Sequence, residues 1–205
     1  MREQMRRGIF LCIDGIDGCG KSTHARLLKK WLNSMGLEVL ITDEPTDNPI
    51  GRIIKKSLSG KFYLPVETEA LLFAADRMQH IFKVVRPAIE SGKIVITERY
   101  VYSSLAYQHA RGLPMGWLEE INRWAIEPDL TIIIDLPVEI AMRRKKRRGN
   151  LDKFERDLGL QRKVRENYLQ IARDKGLKVI DGGRSVEEVQ EEIREIVKHL
   201  LGTKF

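Results

Sequence analysis

The chain has 205 residues, 42% hydrophobic and 32% charged, the balance of a soluble globular enzyme long enough for one domain with a full core. Its net charge of +7 comes almost entirely from one place, because the run Arg143–Arg148, RRKKRR, holds six cations and the rest is nearly neutral. That excludes a diffuse cationic footprint for a nucleic-acid backbone, and no apolar run reaches membrane-spanning length.

The opening MREQMRRGIF lacks a signal-peptide apolar segment. Cys12 and Cys19 are too few for a disulfide scaffold, and neither they nor His24, His80, His109 and His199 show metal-ligand spacing. The expectation is a cytoplasmic protein with free thiols and no membrane or nucleic-acid partner.

Strands and helices alternate along the chain. GIFLCID, Gly8–Asp14, reads as a first strand. KSTHARLLKKWLNSMG follows, with Ala25, Leu28, Trp31, Leu32 and Met35 at helical spacing and Gly36 as a stop. LEVLIT is a second strand running into DEPTDNP, a loop by its prolines and Asp/Asn content. From Glu67 to Ser91 a long helical pattern passes through ETEALLFAADRMQHIFKVV, which Pro87 should break or kink. KIVITE, LTIIIDL and GLKVID complete five strands, and Ser185 with Glu188 forms a capping box for the last helix. Nothing in the sequence divides the chain, so residues 1–205 are expected to form a single domain. Strands separated by helices give an α/β fold of three layers, a five-stranded parallel sheet with helices on both faces. Its ligands belong at the carboxyl ends of the strands.

GIDGCGKST, Gly15–Thr23, leaves the first strand and opens the first helix, and it satisfies G-x-x-x-x-G-K-[ST]. Glycines let backbone N–H groups surround phosphate oxygens at a helix N-terminus. Gly15, Ile16, Asp17, Gly18, Cys19, Gly20, Lys21, Ser22 and Thr23 are therefore the expected ATP-binding loop of a P-loop fold. Lys21 should reach the terminal phosphates and the Ser22 hydroxyl should ligate Mg²⁺. Position 19 lies near a helix N-terminus, which favours a thiolate, so Cys19 is expected to be the more reactive cysteine. The guanine-reading N-K-x-D of a GTPase switch is absent, and TIIIDLP ends in one acid where a motor ATPase carries two. A small-molecule kinase fits the length, the phosphate loop and the basic run. Asp17 remains odd, a carboxylate within a loop built for anions.

ITERYVYSSLAYQ, taken with GIDGCGKST, LLFAADRMQH and DGGRSVEEV, resembles thymidylate kinase, and the correspondence runs in order from about Ile9 to Leu201. The resemblance implies transfer from ATP to dTMP with Mg²⁺, and a homodimer. It gives Asp17 the acceptor's 3′-hydroxyl, and it stacks thymine on Phe73 with Arg77 bonded to O4. Arg99 would bind the acceptor phosphate, Ser104 and Gln108 would meet the base edge, and Tyr107 would pack under the deoxyribose. Glu44 and Pro45 complete the acceptor set. Glu98 would hold Mg²⁺ with Ser22 or anchor Arg99. The basic run would enter a lid near residues 143–152, in which Arg148 reaches the transferring phosphoryl and Arg144 the donor phosphates or adenine. The expected catalytic set is thus Lys21, Glu98, Arg99, Arg144 and Arg148, with the choice between the two lid arginines open.

Three positions depart from the pattern. Gly18 stands where some members carry an arginine straight after the loop acid, so the missing cation must come from elsewhere, with RRKKRR as the candidate. Glu98 replaces an aspartate. Asp43 replaces an arginine of bacterial relatives, with Arg52 or Lys55 as candidate substitutes. A deoxynucleoside kinase would also begin its third-strand motif Glu-Arg, but a nucleoside hydroxyl needs a general base such as Glu98, whereas a phosphate acceptor needs only charge neutralisation and in-line positioning. A nucleotide-dependent binding module without acceptor chemistry is the third reading.

Overall fold

The computed structural model describes residues 7–146 and 157–204. Its sheet contains β1 (Ile9–Asp14), β2 (Val39–Asp43), β3 (Ile94–Glu98), β4 (Leu130–Asp135) and β5 (Lys178–Asp181), all parallel, in the order β2-β3-β1-β4-β5. All five expected strands form, with bounds shifted only at their ends. The central strand β1 is buried along its whole length because helices cover both faces. Ile9, Leu11 and Ile13 join one core cluster with Leu28 and Leu32, whereas Phe10 and Cys12 join Ile81, Val85, Ile89, Val95 and Tyr100 on the other face. Pairing of Ile13 with Glu98 on one side and Ile132 on the other brings the carboxyl ends of β1, β3 and β4 to one rim.

The first helix, α1 (Lys21–Ser34), starts from a left-handed Gly20 and ends before Gly36. Met35, counted above in its apolar face, lies past the helix end and is 53% exposed. Next comes α2 (Pro49–Leu58), which the sequence reading did not identify. Asn48 caps it by accepting from Ile50 N–H and Gly51 N–H at 2.8 and 3.0 Å, with Pro49 in the first turn. The long pattern divides into α3 (Val66–His80), a π-turn (Ile81–Val85) and α4 (Arg86–Glu90). Pro87 therefore widens the helix and does not break it. A proline ring crowds the carbonyl four residues back, and the wider turn, in which Arg86 N–H donates to Ile81 O, relieves that crowding.

Then follow α5 (Val101–Ala110), α6 (Met115–Asn122), α7 (Val138–Lys146), α8 (Leu158–Lys175) and α9 (Val186–Lys204). The expected capping box is present: Ser185 N–H donates to Glu188 Oε2 at 3.0 Å, and Glu188 N–H to Ser185 Oγ at 3.2 Å. Of the expected lid, only residues up to Lys146 are described, and Arg148 lies outside the described residues. No helix among the described residues is long and apolar enough to cross a membrane.

Candidate active site

The turn between β1 and α1 bends through Gly15 (φ 135°), Gly18 (φ 81°) and Gly20 (φ 115°). Gly18 is held by close approach as well as by φ, since a Cβ there would sit 2.2 Å from Ala141 O on α7. Lys21 folds back over the loop and donates from Nζ to Gly15 O (2.9 Å) and Ile16 O (3.0 Å). Ser22 Oγ donates to Glu98 Oε2, so the two expected Mg²⁺ ligands meet across the first turn of α1 and the end of β3. A hydroxyl and a carboxylate oxygen suit Mg²⁺, a hard cation that takes few protein oxygens and fills its shell with phosphate and water.

Cys19 corrects an expectation. Its side chain is buried, burial raises its thiol pKa, and Lys21 counters only part of that effect. Cys12 is also buried, with its pKa raised further. Proximity to a helix N-terminus does not produce a thiolate when the sulfur points into the core.

Three cavities lie side by side along the rim. The first, about 380 Å³, is lined by every residue assigned above to the acceptor: Asp17, Glu44, Pro45, Phe73, Arg77, Arg99, Ser104, Tyr107 and Gln108. The second, about 310 Å³, holds Lys21, Ser22, Glu98 and Gly20, and shares Asp17, Arg99 and Lys145 with the first. The third, about 340 Å³, lies beyond Gly18 and Gly20 among Thr23, His24, Arg144, Gly182 and Arg184. The second cavity thus adjoins the other two, sharing Asp17, Arg99 and Lys145 with the first and Gly18 and Gly20 with the third.

In the first cavity the pairings are specific. Asp17 accepts from Arg99 Nη2 on one oxygen and from Tyr107 Oη (3.1 Å) on the other. Burial opposes its ionisation, but the charges of Arg99 and Lys21 outweigh burial and hold the carboxyl well below the usual range. Burial pushes the Tyr107 phenol up, so it remains a neutral donor. Arg99 adopts φ 65°, uncommon for a residue with a Cβ, and its guanidinium lies 5.1 Å over the Tyr107 ring. Behind it Ser103 Oγ and Tyr168 Oη donate to Asp14 at 2.7 and 2.8 Å, tying α5 and α8 to the base of the phosphate loop.

Arg77 is buried and donates Nε–H to Glu44 Oε2 (2.9 Å), Nη1–H to Asn122 Oδ1, and Nη2–H groups to Tyr100 O (2.9 Å) and Ser104 Oγ (3.0 Å). Those contacts fix the guanidinium and leave one Nη1–H. Gln108 Oε1 is buried with no hydrogen-bond partner among the described residues, an acceptor that needs a donor from whatever fills the cavity. Phe73 is half-buried at the cavity wall.

The reading missed several residues. Lys145 lines both the first and second cavities, whereas Arg144 turns to the third and donates to Gly182 O at 3.2 Å. The apolar spacing of α7 held the clue: Val138, Ala141 and Met142 form its buried face, and Lys145 continues that face by one turn. Asn122 gave no local signal, and Arg184 belonged to a quoted motif without being assigned a role. Asp43 lines the first two cavities. Of its two candidate substitutes only Lys55 reaches the first cavity, and Arg52 donates to Asp47 O at 2.9 Å.

Comparison with known proteins gives a consistent match. The sequence profile of the family described as Thymidylate kinase matches residues 13–193. A "Probable thymidylate kinase" of Pyrococcus abyssi is 52% identical over 203 residues, covering 96% of this chain and 99% of the relative. A "Probable thymidylate kinase" of Pyrococcus horikoshii is 47% identical over 203 residues, with the same coverage. A "Thymidylate kinase" of Halothermothrix orenii is 41% identical over 206 residues, covering 95% and 99%.

Proposed function

The chain belongs to the thymidylate kinase family, and from that membership we infer an enzyme that transfers the terminal phosphoryl group of ATP to dTMP, giving ADP and dTDP. One observation supports the site assignment above all others: the nine acceptor residues, drawn from four separate stretches of sequence, line one cavity that opens onto the phosphate loop.

Within that reading, backbone N–H groups of Gly15–Ser22 and the Lys21 ammonium hold the donor phosphates. Ser22 and Glu98 hold Mg²⁺, which when bound neutralises charge on the donor phosphates. The adenine side faces Arg144 and Arg184, beside a His24 that burial keeps neutral. Thymine stacks on Phe73. The remaining Nη1–H of Arg77 donates to O4, and Gln108 Oε1 accepts from N3–H. Cytosine offers neither group in that order, so the pair selects thymine. Asp17 accepts from the 3′-hydroxyl, and Tyr107 packs under the sugar. Arg99 neutralises the acceptor phosphate, already an anion near neutral pH, and Lys145 spans the gap between acceptor and donor. Arg148 remains a proposed catalytic cation outside the described residues.

The nucleoside-kinase reading is weakened because Glu98, the base it names, faces Ser22 and lines the second cavity but not the first. The single sheet with its two-faced core supports one domain. Two free buried thiols support a cytoplasmic location. A homodimer is supported by an exposed apolar stripe, Leu71, Met78 and Phe82 (49%, 39% and 67% exposed), which follows one face of α3 into the π-turn. A coupled assay with ATP tests the reading directly by comparing dTMP, thymidine and no acceptor. ADP should appear rapidly with dTMP alone, and turnover with thymidine in its place would refute the assignment.

A further inference from the structure

His80 is buried one turn beyond Arg77 on the same face of α3, and both residues reach the same carboxylate. Arg77 Nε–H takes Glu44 Oε2 at 2.9 Å and His80 Nδ1 lies 3.0 Å from Glu44 Oε1. On its other side His80 Nε2 lies 2.7 Å from Thr42 Oγ1 on β2. A carboxylate can only accept, so the proton shared with Glu44 sits on Nδ1, and the Thr42 hydroxyl is free to donate to Nε2. A buried histidine with both nitrogens bonded is ordinarily just a satisfied core residue. Here one of its partners is the acid that holds the base-reading arginine, and α3 grips the same loop again through Asp76, which accepts from Thr46 N–H and Oγ at 2.8 and 2.7 Å.

We propose that His80 is a positioning residue for base recognition: its Nδ1–H fixes the Glu44 carboxylate, and Glu44 in turn aims Arg77 at the nucleobase. The relay Thr42–His80–Glu44–Arg77 links the edge strand to the acceptor cavity. Asn122 holds the other side of the fork, its own amide turned by donation to Leu118 O at 2.8 Å. Without the Nδ1–H, Glu44 can rotate, and Arg77 loses the backing that directs its last N–H to an acceptor oxygen on the base. The inference rests on thymine occupying the first cavity.

Two amides separate this from a packing role. In H80N the amide N–H falls near the place of Nδ1 and can still donate to Glu44, whereas in H80Q it falls nearer Nε2 and leaves Glu44 unsupported. The readouts are kcat/KM for dTMP and for dCMP, KM for ATP, and Tm. H80Q should lose about tenfold or more with dTMP, as for a lost charge-assisted hydrogen bond, and much less with dCMP, so the dTMP/dCMP ratio falls. H80N should keep that ratio within about threefold of wild type, and KM for ATP should hold in both. Equal impairment of H80N and H80Q, or a proportional fall for both acceptors, would overturn the proposal while leaving the acceptor assignment intact. A wild type inactive on dTMP would instead overturn the assignment and the proposal together. Should neither amide variant fold, T42V decides: loss of the Nε2 partner should lower the same ratio severalfold, and an unchanged ratio would overturn the proposal.

Discussion

Replacing Asp17 by asparagine keeps the size of the side chain and removes its charge. The carboxylate already accepts from Arg99 Nη2 and from Tyr107 Oη, one bond on each oxygen, and each oxygen keeps a lone pair for the acceptor's 3′-hydroxyl. In the variant the single amide oxygen must turn to Arg99, because an amide N–H cannot accept from a guanidinium. The sugar hydroxyl then competes for one neutral oxygen. The Asp17 and Arg99 side chains are only 17% and 20% exposed, so solvent screening does not erase the loss. A hydrogen bond to a charged group contributes about 1.5–3 kcal/mol, which corresponds to a fall of about 10- to 150-fold in kcat/KM for dTMP. The assay is a cycle of wild type and D17N against dTMP and 3′-deoxy-TMP. The analogue lacks the contact in both enzymes, so its penalty should be far smaller and the coupling should recover most of that energy. Equal penalties for both acceptors, together with weaker ATP binding, would refute the reasoning and reduce Asp17 to a loop-shaping residue.

Because burial raises both thiols, neither Cys12 nor Cys19 should react with iodoacetamide at neutral pH until the protein is denatured; rapid native labelling of Cys19 would contradict its inward orientation. The depressed Asp17 carboxyl contributes stability that is full above its unfolded pKa of about 3.9 and is lost as pH falls below that value. Urea midpoints of wild type and D17N should therefore converge on acidification, and a gap independent of pH would show that the ion pair adds nothing. Phe82→Glu places a charge in the exposed stripe and should shift the light-scattering mass from two chains to one at micromolar concentration, whereas an unaltered dimer would move the interface elsewhere.

The sheet was legible because parallel strands buried on both faces must be short apolar runs, and those runs were bounded by turns. The phosphate loop was legible because its glycines answer a backbone requirement. Phe73 and Arg77 could be paired from their spacing on one helix. By contrast, the Asp17–Arg99 contact joins residues 82 apart, and no local pattern encodes it. The left-handed backbone of Arg99 is likewise set by its surroundings. The resemblance named Arg144 and Arg148 and passed over Lys145, which the buried face of α7 brings to the first two cavities. Pro87 was read correctly as a disturbance, but whether a helix breaks or widens depends on packing beyond the sequence window.

The contact between Gly18 and Ala141 O also constrains how such a site can change over evolutionary time. An arginine at position 18 would put a cation directly in the loop. In this chain its Cβ would meet Ala141 O at 2.2 Å, so α7 would have to withdraw by about 1 Å to regain van der Waals distance. Withdrawal would carry Arg144 and Lys145 away from the donor and acceptor sides with it. Gaining the loop cation therefore forfeits the helix cations, so in this geometry the two arrangements exclude each other. A lineage built on the glycine is confined to it unless α7 and the loop change together.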